Sequence, residues 1–196
     1  MRIGRTRNVI GAVLAGALMA VASPGVSNAQ SSQSSDPKPV ARTDVQSMAG
    51  ADVQSVAAVY YGIRNTKSLK FLQPSGGSTA AFAKIVQQPF NSSATSQLWG
   101  IVDDGSYVSF MNYSSGLNMG IDGASTAAGA AAIQANPSGD LNQDWLITWR
   151  TDSVFEMKNR KSGLCLGISG ASTANGAQAA QFGCDGSTNQ GWAFVQ

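Results

Sequence analysis

A threefold repeat is the feature that most restricts what this 196-residue chain can fold into. The pattern Gln-x-Trp-x-(Ile or Phe) occurs at 97–101, 143–147 and 190–194, so its copies are separated by 46 and 47 residues. The second and third copies align without a gap, and their segments 123–127 and 170–174 both read Gly-Ala-Ser-Thr-Ala. The first copy has diverged further. A period of this length predicts three equivalent structural units.

Within each copy the apolar residues alternate with a period of two. Gln, Trp and the following Ile or Phe occupy positions i, i+2 and i+4, which on a strand would place all three on one inward face. Segments 84–87, 107–111 and 154–157 also predict short strands between clusters of Gly, Ser, Asn and Asp. We therefore predict an all-β domain with about four strands per repeat. A closed threefold barrel is favoured over a solenoid or a propeller, since closure leaves no exposed sheet edge.

The N-terminal region predicts export. Three Arg residues precede an uncharged, mostly apolar run at 9–22, and small residues stand at 27 and 29. This run is shorter than the roughly 20 residues that cross a bilayer, so we predict a secretory signal peptide at 1–29. Residues 30–57 contain no aromatic residue and are rich in Ser, Gln, Asp and Ala, which predicts a flexible linker. Residues 58–196 remain as one domain.

Composition excludes several function classes. The chain has no His, which removes the Ser-His-Asp triad, the Cys-His dyad and His-ligated metals. Glu156 is the only Glu, and no spacing of Asp residues favours a glycosidase pair or a calcium loop. Loss of the three Arg at 1–29 changes the formal net charge from +2 to −1, so no basic patch points to nucleic acid or membranes. We expect no catalysis, no metal and no cofactor.

The two cysteines, Cys165 and Cys184, are the only ones in the chain. In an exported protein an oxidising compartment would pair them, and a disulfide is therefore the expectation. A buried pair of free thiols is the alternative.

The repeat resembles a known family. The three Gln-x-Trp motifs, with Ser-Gly-Leu-Cys-Leu at 162–166 and Gly-Ala-Ser-Thr-Ala-Asn-Gly-Ala at 170–177, resemble the ricin B-type β-trefoil lectin domain, also known as carbohydrate-binding module family 13. The resemblance covers roughly 59–196 and implies a β-trefoil with a disulfide within the third repeat. It also implies a shallow pocket in each repeat for a glycan, usually galactose-like. In the family, an Asp after Cys-Leu, a stacking aromatic residue and the Asn before Gln-x-Trp form this pocket.

Carried onto the third repeat, the resemblance assigns Phe182 to stack on the sugar and Asn189, followed by Gln190, to bind its hydroxyl groups. Gly167 stands at the Asp position, where backbone groups would replace the lost carboxylate. The third repeat is accordingly the leading candidate site.

The other two repeats depart further from the family pattern. The second has Gly120 at the Asp position and Ala135 at the aromatic position, but retains Asn142; Asp122 could supply a carboxylate from a shifted position. The first has Gln73, Gln88 and Ser96 at the three positions. We thus expect weakened or altered sugar sites.

The resemblance implies a secreted, non-catalytic carbohydrate-binding module whose partner is a glycan or polysaccharide. One alternative is a protein-binding β-trefoil, such as an inhibitor or complex subunit, that has lost sugar binding; it predicts an exposed apolar patch on a loop surface. Another is a surface protein without a specific ligand. All three share the fold and differ only at the surface.

Overall fold

A computed structural model describes residues 59–196, so the predicted signal peptide and linker lie outside the described residues. Twelve strands and six short 3₁₀ turns make up this range, with no α-helix among the described residues. No helix there is long and apolar enough to cross a membrane. The strands are β1 Tyr60–Asn65, β2 Phe71–Pro74, β3 Ile85–Gln88, β4 Leu98–Asp104, β5 Tyr107–Asn112, β6 Asn118–Ile121, β7 Ala132–Ala135, β8 Trp145–Trp149, β9 Phe155–Asn159, β10 Cys165–Ile168, β11 Ala179–Phe182 and β12 Trp192–Val195.

Six of these strands close into a barrel. The pairing runs β1–β4–β5–β8–β9–β12, all antiparallel, and β12 pairs back with β1. The remaining strands form three hairpins, β2–β3, β6–β7 and β10–β11, which contact one another through single bridges. This arrangement of one barrel strand pair and one hairpin per repeat confirms the predicted β-trefoil.

The three repeat Trp residues, Trp99, Trp145 and Trp192, are completely buried in the core. Each indole N–H donates to a backbone carbonyl of the hairpin in its own repeat, at 3.0 Å in all three cases. A large apolar ring is thereby buried without leaving its one polar atom unpaired. The prediction that these residues are core anchors is confirmed.

The Gln of each motif departs from the prediction. Gln97, Gln143 and Gln190 lie at the ends of 3₁₀ turns, directly before the strands rather than on them. The turn directs each buried amide to the loop that follows the hairpin, where its Nε2 donates to a backbone carbonyl at 2.7–2.9 Å. The expectation that these Gln residues lie on strands was therefore wrong. The loop carbonyls compete for their side-chain amides.

A second set of buried Gln residues ties the repeats together. Gln87, Gln134 and Gln181 are 0 % exposed, and each Nε2 donates to two carbonyls in the Ser-Thr-Ala loop of another repeat. A Ser hydroxyl from the turn before the hairpin donates to each Oε1. We call these three residues the bridging glutamines. Their hydrogen bonds explain why the Ser-Thr-Ala segment is repeated.

The predicted disulfide joins Cys165 to Cys184, with Cα atoms 5.0 Å apart, and is confirmed. It ties β10 to the loop after β11. At the same place in the first repeat Phe71 packs against Phe90, with ring centroids 5.1 Å apart. The third repeat therefore fixes the loop after its hairpin with a covalent bond, and the first repeat holds the equivalent loop by aromatic packing.

Candidate functional site

The third-repeat candidates lie together on the outer face of the β10–β11 hairpin. Gly167 is on β10, Phe182 ends β11, and Asn189 and Gln190 come from the 3₁₀ turn before β12. A methyl group at Gly167 would be 3.1 Å from Asn189 Nδ2, 3.1 Å from Gln190 Cγ and 3.5 Å from Phe182 Cδ2. The fold thus brings the four residues around one point above Gly167.

The two amides at this point have different tasks. Asn189 accepts a hydrogen bond from the Ile168 N–H through Oδ1 at 3.1 Å, which orients its Nδ2 donor towards Gly167. Gln190 is committed to the loop after β11: its Nε2 donates to the Gly183 carbonyl at 2.7 Å and its Oε1 accepts from the Asp185 N–H at 3.2 Å. Asn189 therefore offers a hydrogen-bond donor at the site, whereas Gln190 contributes only the CH₂ groups of its side chain.

The loop held by Gln190 carries a carboxylate of its own. The Ser187 N–H donates to Asp185 Oδ1 at 2.8 Å. This hydrogen bond lowers the pKa of the exposed Asp185 carboxyl below its ordinary value near 3.8. The loop beside the third-repeat site is therefore negatively charged at neutral pH.

In the second repeat the same framework lacks the aromatic residue. A methyl at Gly120 would be 3.0 Å from Gln143 Cγ and 3.3 Å from Asn142 Nδ2. Here Asn142 Nδ2 donates to the Ile121 carbonyl at 3.1 Å. Asp122 is exposed two residues beyond Gly120, and half-buried Ala135 presents only a methyl group. This repeat offers a carboxylate but no stacking surface from its own strand.

In the first repeat the corresponding positions are engaged internally. Gln73 Oε1 accepts from Gln97 Nε2 at 2.9 Å, and Ser96 is buried. Gln88 has neither a ring nor a charge to offer. The first repeat thus has neither the carboxylate nor the aromatic face of the family pocket.

One polar feature beside the second Gln-x-Trp motif was not anticipated from the sequence. Arg160 forms ion pairs with exposed Asp104 at 3.1 Å and with buried Asp144 at 3.0 Å, and its guanidinium lies 4.4 Å from the Tyr107 ring centroid. Arg160, Asp104 and Asp144 border an open groove of about 680 Å³. The sequence does contain a sign of this feature. Asp144 occupies the variable position of Gln-x-Trp, where the other repeats have Leu98 and Gly191.

Within residues 59–196 no group of three or more Cys, Asp or Glu side chains is placed to hold a metal ion.

Comparison with known proteins places these features in context. The chain matches the family described as "Ricin-type beta-trefoil lectin domain-like" over residues 50–135 and 141–196. ThreeFoil, a designed 3-fold symmetric protein, is 33 % identical over 70 % of this chain and 98 % of its own, with a TM-score of 0.68. An exo-β-1,3-galactanase from Clostridium thermocellum is 32 % identical with the same TM-score, over 72 % of this chain and 30 % of the galactanase.

A ricin B-like lectin from Macrolepiota procera, solved in complex with lactose, is 23 % identical with a TM-score of 0.61, over 74 % of this chain and 99 % of the lectin. Among curated proteins no sequence match is found.

Proposed function

Because the chain belongs to the ricin-type β-trefoil lectin domain-like family, we propose that it is a secreted, non-catalytic module that binds carbohydrate through its third repeat. The observation that carries the proposal is the convergence of Phe182, the Asn189 donor and Gln190 around Gly167. Export is supported by the disulfide, which an oxidising compartment maintains.

The chemistry of this site suits a pyranose ring. The apolar C–H face of the sugar packs against the Phe182 ring, and a hydroxyl accepts a hydrogen bond from Asn189 Nδ2. Gly167 contributes no carboxylate, so the hydrogen bonds at this point are between neutral groups and are weaker than charge-assisted ones. Binding at a single site is therefore weak, and a polymer that engages more than one site binds more strongly.

Galactose-containing glycans are the class of ligand that we propose. Support comes from the family and from the likeness to a domain within an exo-β-1,3-galactanase at 32 % identity. A β-1,3-galactan and lactose are therefore the first probes. The polymer can engage several sites at once, whereas one lactose molecule occupies one site.

The test is titration calorimetry and galactan affinity electrophoresis of wild type and Phe182→Ala. Loss of the stacking face should weaken lactose binding at the third repeat by about tenfold. The matched control is Gln88→Ala, which truncates the equivalent position in the first repeat and should leave binding unchanged. Equal binding by wild type and Phe182→Ala would refute the third-repeat site.

A protein-binding role is the second candidate. Leu69 and Phe90, both in the first repeat, are 62 % and 64 % exposed, and Phe90 borders an apolar cavity of about 150 Å³ next to Phe71. An exposed apolar side chain beside an apolar cavity is the kind of surface feature that this alternative predicts. Failure to bind any glycan on a broad array, with a stoichiometric protein complex weakened by Phe90→Ser, would favour this function over the lectin.

A further inference from the structure

An ion pair on the β8–β9 hairpin reaches the turn that carries Asn189. Arg150 directly follows β8, and Glu156, the only Glu of the chain, lies on β9. Arg150 Nε and Nη2 both donate to Glu156 Oε2, at 3.1 and 2.8 Å. The remaining nitrogen, Nη1, donates to the Ser187 carbonyl at 2.8 Å. One guanidinium therefore joins this hairpin to the third-repeat site.

The Ser187 carbonyl is the acceptor that closes this turn. The backbone N–H of Gln190 donates to it at 3.1 Å and so completes the 3₁₀ turn Thr188–Gln190, with Asn189 at its centre. Because Arg150 donates to the same oxygen, the guanidinium fixes the point at which the turn begins.

Both charged side chains are well shielded from solvent. The side chains of Arg150 and Glu156 are each 19 % exposed. Hydrogen bonds from a guanidinium are charge-assisted and stronger than those between neutral groups. Glu156 engages two nitrogens of Arg150 and thereby holds the third nitrogen at Ser187. Glu156 therefore acts on the turn through Arg150.

The equivalent turns of the other repeats are closed without a charged group. Their acceptors are the carbonyls of Ala94 and Asp140, to which the Gln97 and Gln143 N–H groups donate at 3.0 and 2.9 Å. Each of the three turns also receives an Asn side chain at the carbonyl before its motif Gln. Among residues 59–196, only the third-repeat turn receives a charged side-chain donor at a backbone carbonyl.

The turn with the charged donor is also the one whose Asn points its amide at the candidate site. Asn189 Nδ2 is directed towards Gly167, whereas Asn142 Nδ2 donates to the Ile121 carbonyl of its own repeat. The extra support is thus found where a side-chain donor faces the site.

We propose that Arg150 and Glu156 are positioning residues of the third-repeat site, which hold the turn so that the Asn189 donor is in place before a glycan binds. This proposal rests on the proposed lectin function. Both residues act through the turn and not by contact with the sugar. A site with one ring and one amide donor makes few contacts, so ordering Asn189 in advance lowers the cost of binding and raises affinity.

The first test is lactose binding by titration calorimetry on the full chain, at a temperature where every variant is fully folded. Global stability then does not enter the measured Kd. Arg150→Met keeps the length of the side chain and removes its donors, and it should weaken lactose binding by about fivefold. Glu156→Met should also weaken binding, because it releases Arg150. The double variant should bind no more weakly than Arg150→Met, since Glu156 acts through Arg150.

A local readout that needs no ligand is hydrogen exchange of the Gln190 backbone N–H. This group donates to the carbonyl that Arg150 holds, so its exchange should be about tenfold faster in Arg150→Met. The Gln143 N–H, which closes the equivalent turn of the second repeat, should exchange as in wild type. A general loss of stability would accelerate both groups.

Arg160→Met is the matched control. Arg160 is also an Arg in ion pairs with carboxylates, but its partners are Asp104 and Asp144. Its loss should leave lactose affinity and Gln190 exchange unchanged. Equal losses of affinity in Arg150→Met and Arg160→Met would overturn a specific role for Arg150.

The outcomes separate this proposal from the lectin function. Wild-type lactose affinity in Arg150→Met, or unchanged Gln190 exchange, overturns the positioning role and leaves the third-repeat site intact. No binding of lactose or galactan by wild type refutes the lectin function, and the positioning role with it.

Discussion

Gly167 has little free space around it, although it replaces the carboxylate residue of the family pattern. Asn189 and Gln190, each within 3.1 Å of an added methyl, are both buried and held by hydrogen bonds. Gly167→Ala should therefore lower the free energy of unfolding by about 1–3 kcal/mol, through crowding of a packed site.

Urea denaturation of Gly167→Ala beside Gly183→Ala measures this effect. Gly183 precedes Cys184 in the loop after β11, and a methyl there would meet nothing within 4 Å. A Gly167→Ala variant as stable as Gly183→Ala would show that Asn189 and Gln190 can move aside.

The Asp185 carboxyl makes the stability of the fold depend on pH under acidic conditions. Its folded pKa is below the ordinary value near 3.8 because Ser187 donates to the ionised carboxylate. Its contribution to stability is therefore complete above that value and is lost as pH falls through the folded pKa. Since the chain has no His, we expect a flat urea midpoint from pH 5.5 to 7 and a decline below about pH 4. A midpoint that changes between pH 5.5 and 7 would contradict this.

At the scale of elements, the bridging glutamines join the hairpins. Gln181 Nε2 donates to the Ser125 and Ala127 carbonyls, both at 2.9 Å, and its Oε1 accepts from Ser162 at 2.7 Å. Gln181→Leu removes three hydrogen bonds and leaves buried groups unpaired, so it should destabilise the domain by about 3 kcal/mol.

Thermal and urea unfolding measure that loss. Gln88→Leu, on the half-buried outer face of β3, is the control and should change stability by less than about 0.5 kcal/mol. Similar losses in the two variants would mean that the bridging hydrogen bonds contribute little.

The disulfide reinforces one hairpin corner. Its cysteines are 19 residues apart, and the chain-entropy model assigns a loop of this length about 3 kcal/mol. The double variant Cys165→Ala, Cys184→Ala should lose about this much and still fold, because the first repeat closes the same corner with Phe71 and Phe90. Circular dichroism and urea denaturation, with reduced wild type for comparison, test both parts. An unfolded double variant would contradict the second.

For the whole molecule, β1 pairs with β12 and closes the barrel, so we expect residues 59–196 to unfold as one cooperative unit. A version of the chain that begins at residue 58 should therefore match the full chain in unfolding midpoint and lactose affinity. We expect the exported chain itself to begin at Gln30, by mass spectrometry of culture medium. A shortened version with a lower midpoint would place part of the predicted linker within the folded unit.

Several features were predictable because they depend on local pattern. The period of 46–47 residues, the alternation within each copy and the buried Trp residues all follow from the sequence, and the β-trefoil confirms them. The pairing of Cys165 with Cys184 was also predictable, since the chain has no other cysteine. The position of the motif Gln residues in 3₁₀ turns was missed, because a period of two does not show where a strand begins.

The sequence by itself determined the three repeats, their all-β character and the residues available to the third-repeat site, because residue type and spacing decide these. Tertiary structure alone decided what lies beside each site. Phe82 and Gln134 are 52 positions apart, yet a backbone hydrogen bond of 2.7 Å joins them, since hairpin edges from different repeats meet around the threefold axis. Alignment of repeats compares equivalent positions, whereas these hydrogen bonds join positions of different repeats that are not equivalent.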